Sequence, residues 1–152
     1  MSTPDNTRRG RADAHEKAEK LIRKRLSKKL DVDLTPQQLS LDGGAHVDVD
    51  GVGPDESVLV EIFAHQGGLK GGQRRKIMGD ALKLITLGRS RPATKLIIAF
   101  CDQEAADGVV GWLAEALDAW GVERRVVKLP DKVCADLRAE RRHLKMVYPS
   151  SD

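Results

Sequence analysis

The chain has 152 residues, 40% of them hydrophobic and 32% charged, which is the composition of a globular domain large enough to form a core. Its two cysteines, Cys101 and Cys134, have the spacing of neither a zinc site nor a disulfide framework. No apolar run of about 18 residues occurs, and no apolar N-terminal segment. These features argue against a membrane or secreted protein and predict a cytoplasmic location.

The net charge of +3 conceals a strong division along the chain. Residues 1–30 carry ten Lys and Arg against four acids, and residues 70–95 carry eight against one. Between them, residues 31–69 carry eight acids and no Lys or Arg. An acidic centre between basic segments suits a cation site beside a polyanion such as nucleic acid, although lysine-rich helices that only confer solubility would give the same pattern.

The first elements are a tail, a helix and a short strand. Residues 1–11 are polar and basic, which predicts a flexible tail, followed by one domain over 12–149. An apolar stripe at helical spacing predicts an amphipathic helix over about 12–30. Pro36 lies in a segment that breaks the helix. A short edge strand is predicted at 38–41.

Two alternating runs joined by a Val-Gly-Pro-Asp-Glu turn predict an antiparallel hairpin. If Val52 faces Ser57, then Asp48 lies directly opposite Glu61, with Cβ atoms about 5 Å apart. Two carboxylates at that range repel each other unless a cation binds between them, and Mg²⁺ takes hard oxygen ligands. Alternatively, these acids and Asp50 are outward positions on a solvated face of the sheet.

The remaining elements alternate between helix and strand. A helix is predicted over 73–87, and the continuous apolar run at 95–101 predicts a strand buried on both faces. A helix over 104–120, a strand over 124–129 and a helix from 131 follow. The residues predicted to face inward from the helix over 104–120 are Val109, Val110, Leu113, Leu117 and Trp120. This order predicts an α/β fold with a mixed sheet flanked by helices.

With this order and an acidic hairpin, the chain resembles the PD-(D/E)xK nuclease superfamily. The resemblance covers roughly residues 12–101 and implies the restriction-endonuclease-like fold, with an α-β-β-β-α-β core and here a C-terminal α-β-α extension. In that family an Asp lies on one strand and a (D/E)xK triplet on the next. Asp48 or Asp50 matches the first acid and Glu61 the second, but Phe63 stands where the triplet has Lys.

The resemblance implies hydrolysis of phosphodiester bonds in nucleic acid, with DNA the expected substrate. Some members of the superfamily carry the lysine on the following helix, where Lys76 or Lys83 could stand in. The catalytic residues implied are Asp48, Glu61, Lys76 and Gln73, and the ligands for Mg²⁺ or Mn²⁺ are Asp48, Asp50 and Glu61. The residues expected to contact phosphates are Lys70, Arg74, Arg75, Lys83, Arg23 and Lys24. A homodimer would allow both strands to be cut.

Two other function classes stay open. One is a catalytically inactive module of the same fold that binds nucleic acid or a partner protein, in which no basic side chain points into the acidic site. The other is a Rossmann-like small-molecule binder, which the absence of a glycine fingerprint disfavours. His46 and His65 reach the acidic site only if the hairpin has the predicted register. Trp112 and Trp120 are expected to pack against the fold rather than to bind a ligand.

Overall fold

A computed structural model of the protein describes the backbone of residues 6–147 and the side chains of residues 13–142. The described chain alternates helices with the strands of one sheet. In order the elements are α1 Asn6–Leu30, β1 Thr35–Ser40, β2 His46–Val52, β3 Val58–Phe63, α2 Gly71–Gly88, β4 Lys95–Phe100, α3 Gln103–Asp107, α4 Gly111–Ala119, β5 Val122–Val126 and α5 Asp131–Val147.

The five strands form one sheet in the order β1-β2-β3-β4-β5. β1 pairs with β2 and β2 with β3 antiparallel, whereas β3–β4 and β4–β5 are parallel. Parallel neighbours need a crossover, and the helices after β3 and β4 supply one each. The predicted α/β class with a mixed sheet and flanking helices is confirmed.

Each face of the sheet carries its own hydrophobic core. Leu59, Phe63 and Ile98 face one cluster, which α2 and α4 complete, whereas Val60 and Ile97 face the other, against α1. All six residues of β3 are buried, as are five of the six in β4. The near-continuous apolar sequence of these two strands follows from burial on both faces.

The predicted hairpin register is wrong by two residues. Val52 lies opposite Leu59, not Ser57, because the connection is a 3-10 turn with two residues, Asp55 and Glu56, at φ near +56° and +55°. Such left-handed conformations cannot be read from a Gly-Pro-Asp pattern alone. The register therefore brings Asp50, rather than Asp48, close to Glu61.

A β-bulge interrupts β2 at this point. Between Val49 and Val52, β2 advances three residues while its partner β1 advances two, from Gln37 to Thr35. The extra residue breaks the alternation of side chains, so that Val49 and Val52 both join the cluster beneath α2. Asp50 lies inside the bulge.

Two predicted helices have different limits in the structure. α1 begins at Asn6, before the predicted start near residue 12, because apolar periodicity carries no signal for a polar first turn; residues 1–5 lie outside the described residues. The helix predicted over 104–120 is two helices separated by residues 108–110, and Gly111 at the start of α4 has φ +65°. The break resets the helical phase, so Val110 and Trp120, predicted to face inward, are 53% and 64% exposed. Trp112 is exposed too.

Over the backbone of residues 6–147, none of the helices combines the length and the apolar character needed to cross a membrane.

Replacing Ile98 by Ala tests the packing of β4 against the cluster beneath α2. Ile98 is 0% exposed, so the substitution should lower the free energy of unfolding by about 2–5 kcal/mol. Leu82→Ala is the control, because Leu82 is 66% exposed and its truncation should change the free energy by about 0.5 kcal/mol or less. Urea denaturation followed by circular dichroism measures both. Equal effects of the two substitutions would contradict the described packing.

Candidate active site

A buried carboxylate lies in the central strand β3. Glu61 is 2% exposed, with its side chain on the face that Leu59 and Phe63 share. The apolar neighbours along β3 give this strand a strong preference for the interior, so the glutamate is carried into the core with them. A charge in that position needs partners.

The neighbouring carboxylate is Asp50, which the bulge of β2 turns toward β3. Asp50 Oδ2 accepts a hydrogen bond of 2.8 Å from the backbone N–H of Ile62, the residue after Glu61. Its own carbonyl accepts a bond of 2.7 Å from Nε of Arg23 on α1. Asp50 is thus held at both its side chain and its backbone, beside Glu61.

The ammonium group of Lys83 on α2 bridges the two strands. Lys83 Nζ lies 3.2 Å from Oε1 of Glu61 and 2.9 Å from the carbonyl oxygen of Asp48. An ammonium group from the helix that follows β3 therefore lies against the carboxyl group of Glu61. Lys83, named from the sequence both as a stand-in for that lysine and as a phosphate contact, has its ammonium beside the carboxylates.

Two more residues on the same face of α2 extend the charged cluster. Lys76, Asp80 and Lys83 are spaced four and three residues apart, which aligns them along one side of a helix. Lys76 Nζ lies 2.9 Å from Oδ2 of Asp80, whose residue is only 8% exposed. Burial lowers the pKa of Lys76, but the hydrogen bond and the charge of Asp80 raise it by more, with help from Asp50 and Glu61.

The pKa of Glu61 shows how charge is balanced in the site. Burial and the negative charge of Asp50 raise the pKa of Glu61 to about 8, although the Lys83 charge acts in the opposite direction. Asp80 raises it further. Lys83 alone therefore does not compensate the burial of Glu61 and the negative charges of Asp50 and Asp80, so additional positive charge would stabilise the ionised carboxylate.

The first helix borders the site through residues spaced four apart. His15 Nε2 lies 3.1 Å from Oε1 of Glu19, and the next residue in this row is Arg23. The hydrogen bond from His15 lowers the pKa of Glu19, and the same bond raises the pKa of His15. The charge of Lys76 acts on both groups, so the start of α1 lies within electrostatic range of α2 although the two helices cover opposite faces of the sheet.

An open cleft of about 810 Å³ lies at the start of α2, and its lining includes Lys76, whose pKa the charges of Asp50 and Glu61 help to raise. Three cations, Lys70, Arg75 and Lys76, line it together with His65. Gln73 also lines the cleft, and its Oε1 accepts a bond of 2.9 Å from the Lys70 backbone N–H, which caps the helix. Gln73 thus has a structural task in addition to its position at the cleft.

Other residues named from the sequence lie apart from Glu61. Asp48 is exposed and pairs with Gln38 of β1, with its Oδ1 3.5 Å from the amide nitrogen of that residue. The exposed His46 bonds Ser40, and Lys24 is exposed on α1. Arg74 on α2 is half-buried.

A divalent cation such as Mg²⁺ would need hard oxygen ligands at Glu61. Among the described side chains there is no group of three or more His, Cys, Asp or Glu residues arranged to hold a metal ion. Mg²⁺, however, is usually held by only one or two carboxylates, with water and phosphate oxygens as its other ligands. Asp50 and Glu61 are hard oxygen donors whose mutual repulsion a cation would relieve, so the two carboxylates fit Mg²⁺ or Mn²⁺.

No protein-family model, no curated protein and no solved structure matches the chain. The site must therefore be interpreted from its own chemistry.

One participant of the site, Asp80, was absent from the functional residues predicted from sequence, and another, Arg23, was predicted in a different role. Asp80 lies at the edge of the apolar stripe of α2, and its spacing from Lys76 and Lys83 is the signal that could have identified it. Arg23, expected to contact phosphate, is instead bonded to the backbone of Asp50. No local pattern on α1 predicts that contact, because it joins residues 27 positions apart.

The raised pKa of Glu61 predicts a pH-dependent stability. In the unfolded chain Glu61 ionises near its ordinary value of 4.5, and in the folded protein near 8, so between these pH values the native state binds more protons. The free energy of unfolding should therefore fall as pH rises through this window, by at most about 1.4 kcal/mol per pH unit from this group.

Urea denaturation in EDTA at pH 5.5 and pH 8.5 measures this difference. Glu61→Gln, which cannot ionise, is the matched variant and should lose the part of the pH dependence that Glu61 contributes. A wild type and variant with identical pH dependence would contradict the assignment.

Proposed function

We propose that the protein is a metal-dependent nuclease that hydrolyses phosphodiester bonds in nucleic acid, with Asp50, Glu61 and Lys83 at its centre. The observation that carries the proposal is the ammonium of Lys83 at 3.2 Å from the buried carboxylate of Glu61, with Asp50 beside it. Two adjacent carboxylates and a lysine are the constellation that the PD-(D/E)xK superfamily uses. Here the lysine comes from α2.

The order of elements supports the same proposal. A helix, three antiparallel strands, a helix and a parallel strand follow one another in α1, β1–β3, α2 and β4. The same order is expected of a restriction-endonuclease-like core, and α3, α4, β5 and α5 would then be the C-terminal extension. Asp50 on the second strand and Glu61 on the third would correspond to the two motif acids.

Asp50 and Glu61 would hold the cation. A bound divalent ion supplies a Lewis acid that polarises a phosphoryl oxygen and lowers the pKa of a water molecule. Because the pKa of Glu61 is about 8 without a cation, its carboxyl group must release a proton when a cation binds. Cation affinity therefore increases with pH up to about that value.

Lys83 acts on the reacting phosphate through its fixed charge. Its two hydrogen bonds hold the ammonium in place before substrate arrives, so no reorganisation is needed when negative charge builds on the phosphoryl oxygens. Arg23 fixes the backbone of Asp50 and is a positioning residue. Lys76, paired with Asp80, lies between the carboxylates and the basic cleft.

The cleft at the start of α2 would bind the substrate backbone. Lys70, Arg75 and Lys76 carry the positive charge that phosphates require, and binding through phosphates is independent of base sequence and weakens as salt rises. Aromatic residues make up 3% of the chain, which disfavours recognition by base stacking.

Carboxylate substitutions distinguish Asp50 from Asp48 as the metal ligand. Asp50→Asn and Glu61→Gln should each lower Mg²⁺- or Mn²⁺-dependent cleavage by about 100-fold or more, because each removes an oxygen donor. Asp48→Asn should retain activity, since its carboxylate faces Gln38. Glu115→Gln on α4 serves as the control for a neutralised surface acid. The measurement is cleavage of plasmid, single-stranded and branched DNA and of RNA. Loss of cleavage in Asp48→Asn, with cleavage retained in Asp50→Asn, would instead support Asp48 as the metal ligand that pairs with Glu61.

Lys83→Met tests the displaced lysine. It should lower kcat by about 100- to 1,000-fold, because a fixed donor to the transition state is lost. Cation binding, measured by calorimetry, should persist because both carboxylates remain. Wild-type protein that binds nucleic acid and cation but cleaves none of these substrates would instead support the inactive module. Absence of cation binding, even with DNA present, would overturn the enzyme proposal.

A further inference from the structure

A second, smaller cavity shares the side chain of His65 with the basic cleft. Its volume is about 150 Å³, and it lies between α1, α5 and the end of β3. We call it the His65 cavity. It is lined by His15, Ala64, His65, Gln66, Leu137, Arg138, Glu140 and Arg141. His65 also lines the cleft that begins at Lys70, so the two cavities are neighbours.

The loop after β3, which forms one wall of the cavity, is fixed at two points. Arg141 Nη1 donates a bond of 2.8 Å to the carbonyl oxygen of Gln66, and Asp102 Oδ2 accepts a bond of 2.6 Å from the Gly67 N–H. A guanidinium group has five N–H donors in a rigid fork, so the bond to Gln66 orients Arg141 and leaves donors for a ligand. The wall is therefore preformed.

Positive charge converges on this cavity. Burial lowers the pKa of His65, and the charges of His15, Lys76 and Arg141 lower it further. The hydrogen bond that His15 donates to Glu19, together with the charge of Glu140, raises the pKa of His15 and favours its charged form. Arg138 adds another cation to the lining, against the single acid Glu140. The cavity therefore favours a small anion.

We propose that the His65 cavity binds a phosphate monoester at the end of a nucleic acid strand. The cavity volume of about 150 Å³ is several times the ~30 Å³ that one water molecule occupies in the liquid, so the cavity can hold a phosphate group. A phosphate monoester carries a charge between about −1.5 and −2 at neutral pH, more than a phosphodiester carries, and arginine forks match its oxygens. The inference rests on the proposed function only in naming nucleic acid as the source of the phosphate.

One buried polar atom supports a ligand at this position. Oε1 of Gln66 is buried and has no hydrogen-bond partner within the part of the chain that the structure describes. Buried polar groups normally have partners. If the amide is turned by half a revolution, its NH₂ occupies the same place and can donate to a phosphate oxygen.

The position of the cavity has a consequence for the site of cleavage. The cavity shares His65 with the cleft that contains Lys76, and the charge of Lys76 interacts with those of Asp50 and Glu61. A strand whose terminal phosphate occupies the cavity would thus place its first phosphodiester bonds toward Asp50 and Glu61. The protein would act near strand ends rather than at random internal positions.

Binding of short oligonucleotides in EDTA tests the proposal without requiring cleavage. The probes are one fluorescent 12-mer with a 5′-phosphate, the same sequence with a 3′-phosphate, and the same sequence with hydroxyl groups at both ends. The wild type should bind one phosphorylated form about tenfold more tightly than the unphosphorylated form, as one or two charge-assisted hydrogen bonds would give. Which form binds more tightly identifies the strand end.

Arg138→Gln and Arg141→Gln should reduce this preference to twofold or less. Arg142→Gln is the matched control, because Arg142 is an exposed arginine on the same helix and does not line the cavity. Arg138 is exposed, so its variant should fold even if loss of the Arg141 bond to Gln66 disturbs the loop. Circular dichroism verifies folding.

A titration with inorganic phosphate, observed through the imidazole NMR signals of His15 and His65, provides a readout independent of nucleic acid. Signal shifts that Arg138→Gln weakens would support the cavity even if the protein cleaves nothing. Equal wild-type affinity for all three probes, together with unshifted imidazole signals, would overturn the inference. Cleavage of nucleic acid by the wild type without any preference for phosphorylated ends would also overturn the inference, but it would leave the proposed function intact.

Discussion

The burial of Glu61 beside Asp50 is the constraint to which the rest of the structure responds. Two carboxylates in the interior of a sheet repel each other and lose hydration, and the pKa of about 8 for Glu61 expresses both costs. Around this pair the fold assembles compensating groups from three different elements. Lys83 comes from α2, the N–H of Ile62 from β3, and Arg23 from α1.

These compensating contacts also connect the layers of the fold. α2 reaches both β2 and β3 through a single ammonium group, and α1 reaches the bulge of β2 from the opposite face of the sheet. The apolar clusters are separate, one on each face of the sheet. The polar site is a place where helices from both faces contact the same pair of strands. A site supported from two sides retains its geometry better than one on a loop.

The sequence predicted the elements better than their exact pairing. Apolar runs were enough to predict β3 and β4, because a strand buried on both faces is apolar at nearly every position. An apolar stripe at helical spacing was enough to predict α2, because only one side of that helix is buried. The register of the hairpin was not predictable, since it depends on the left-handed residues Asp55 and Glu56 and on a bulge. For the same reason the sequence could name two aspartates but could not choose between them. Lys83 was identified only as one of two alternatives.

Both tryptophans of the chain, Trp112 and Trp120, lie at the surface, 67% and 64% exposed, whereas the core contains none. An indole that is already hydrated in the native state experiences little change of environment when the chain unfolds. Intrinsic fluorescence should consequently be a poor reporter of unfolding for this protein. Both indoles lie on the α4 segment, so their emission would instead respond to whatever covers that helix.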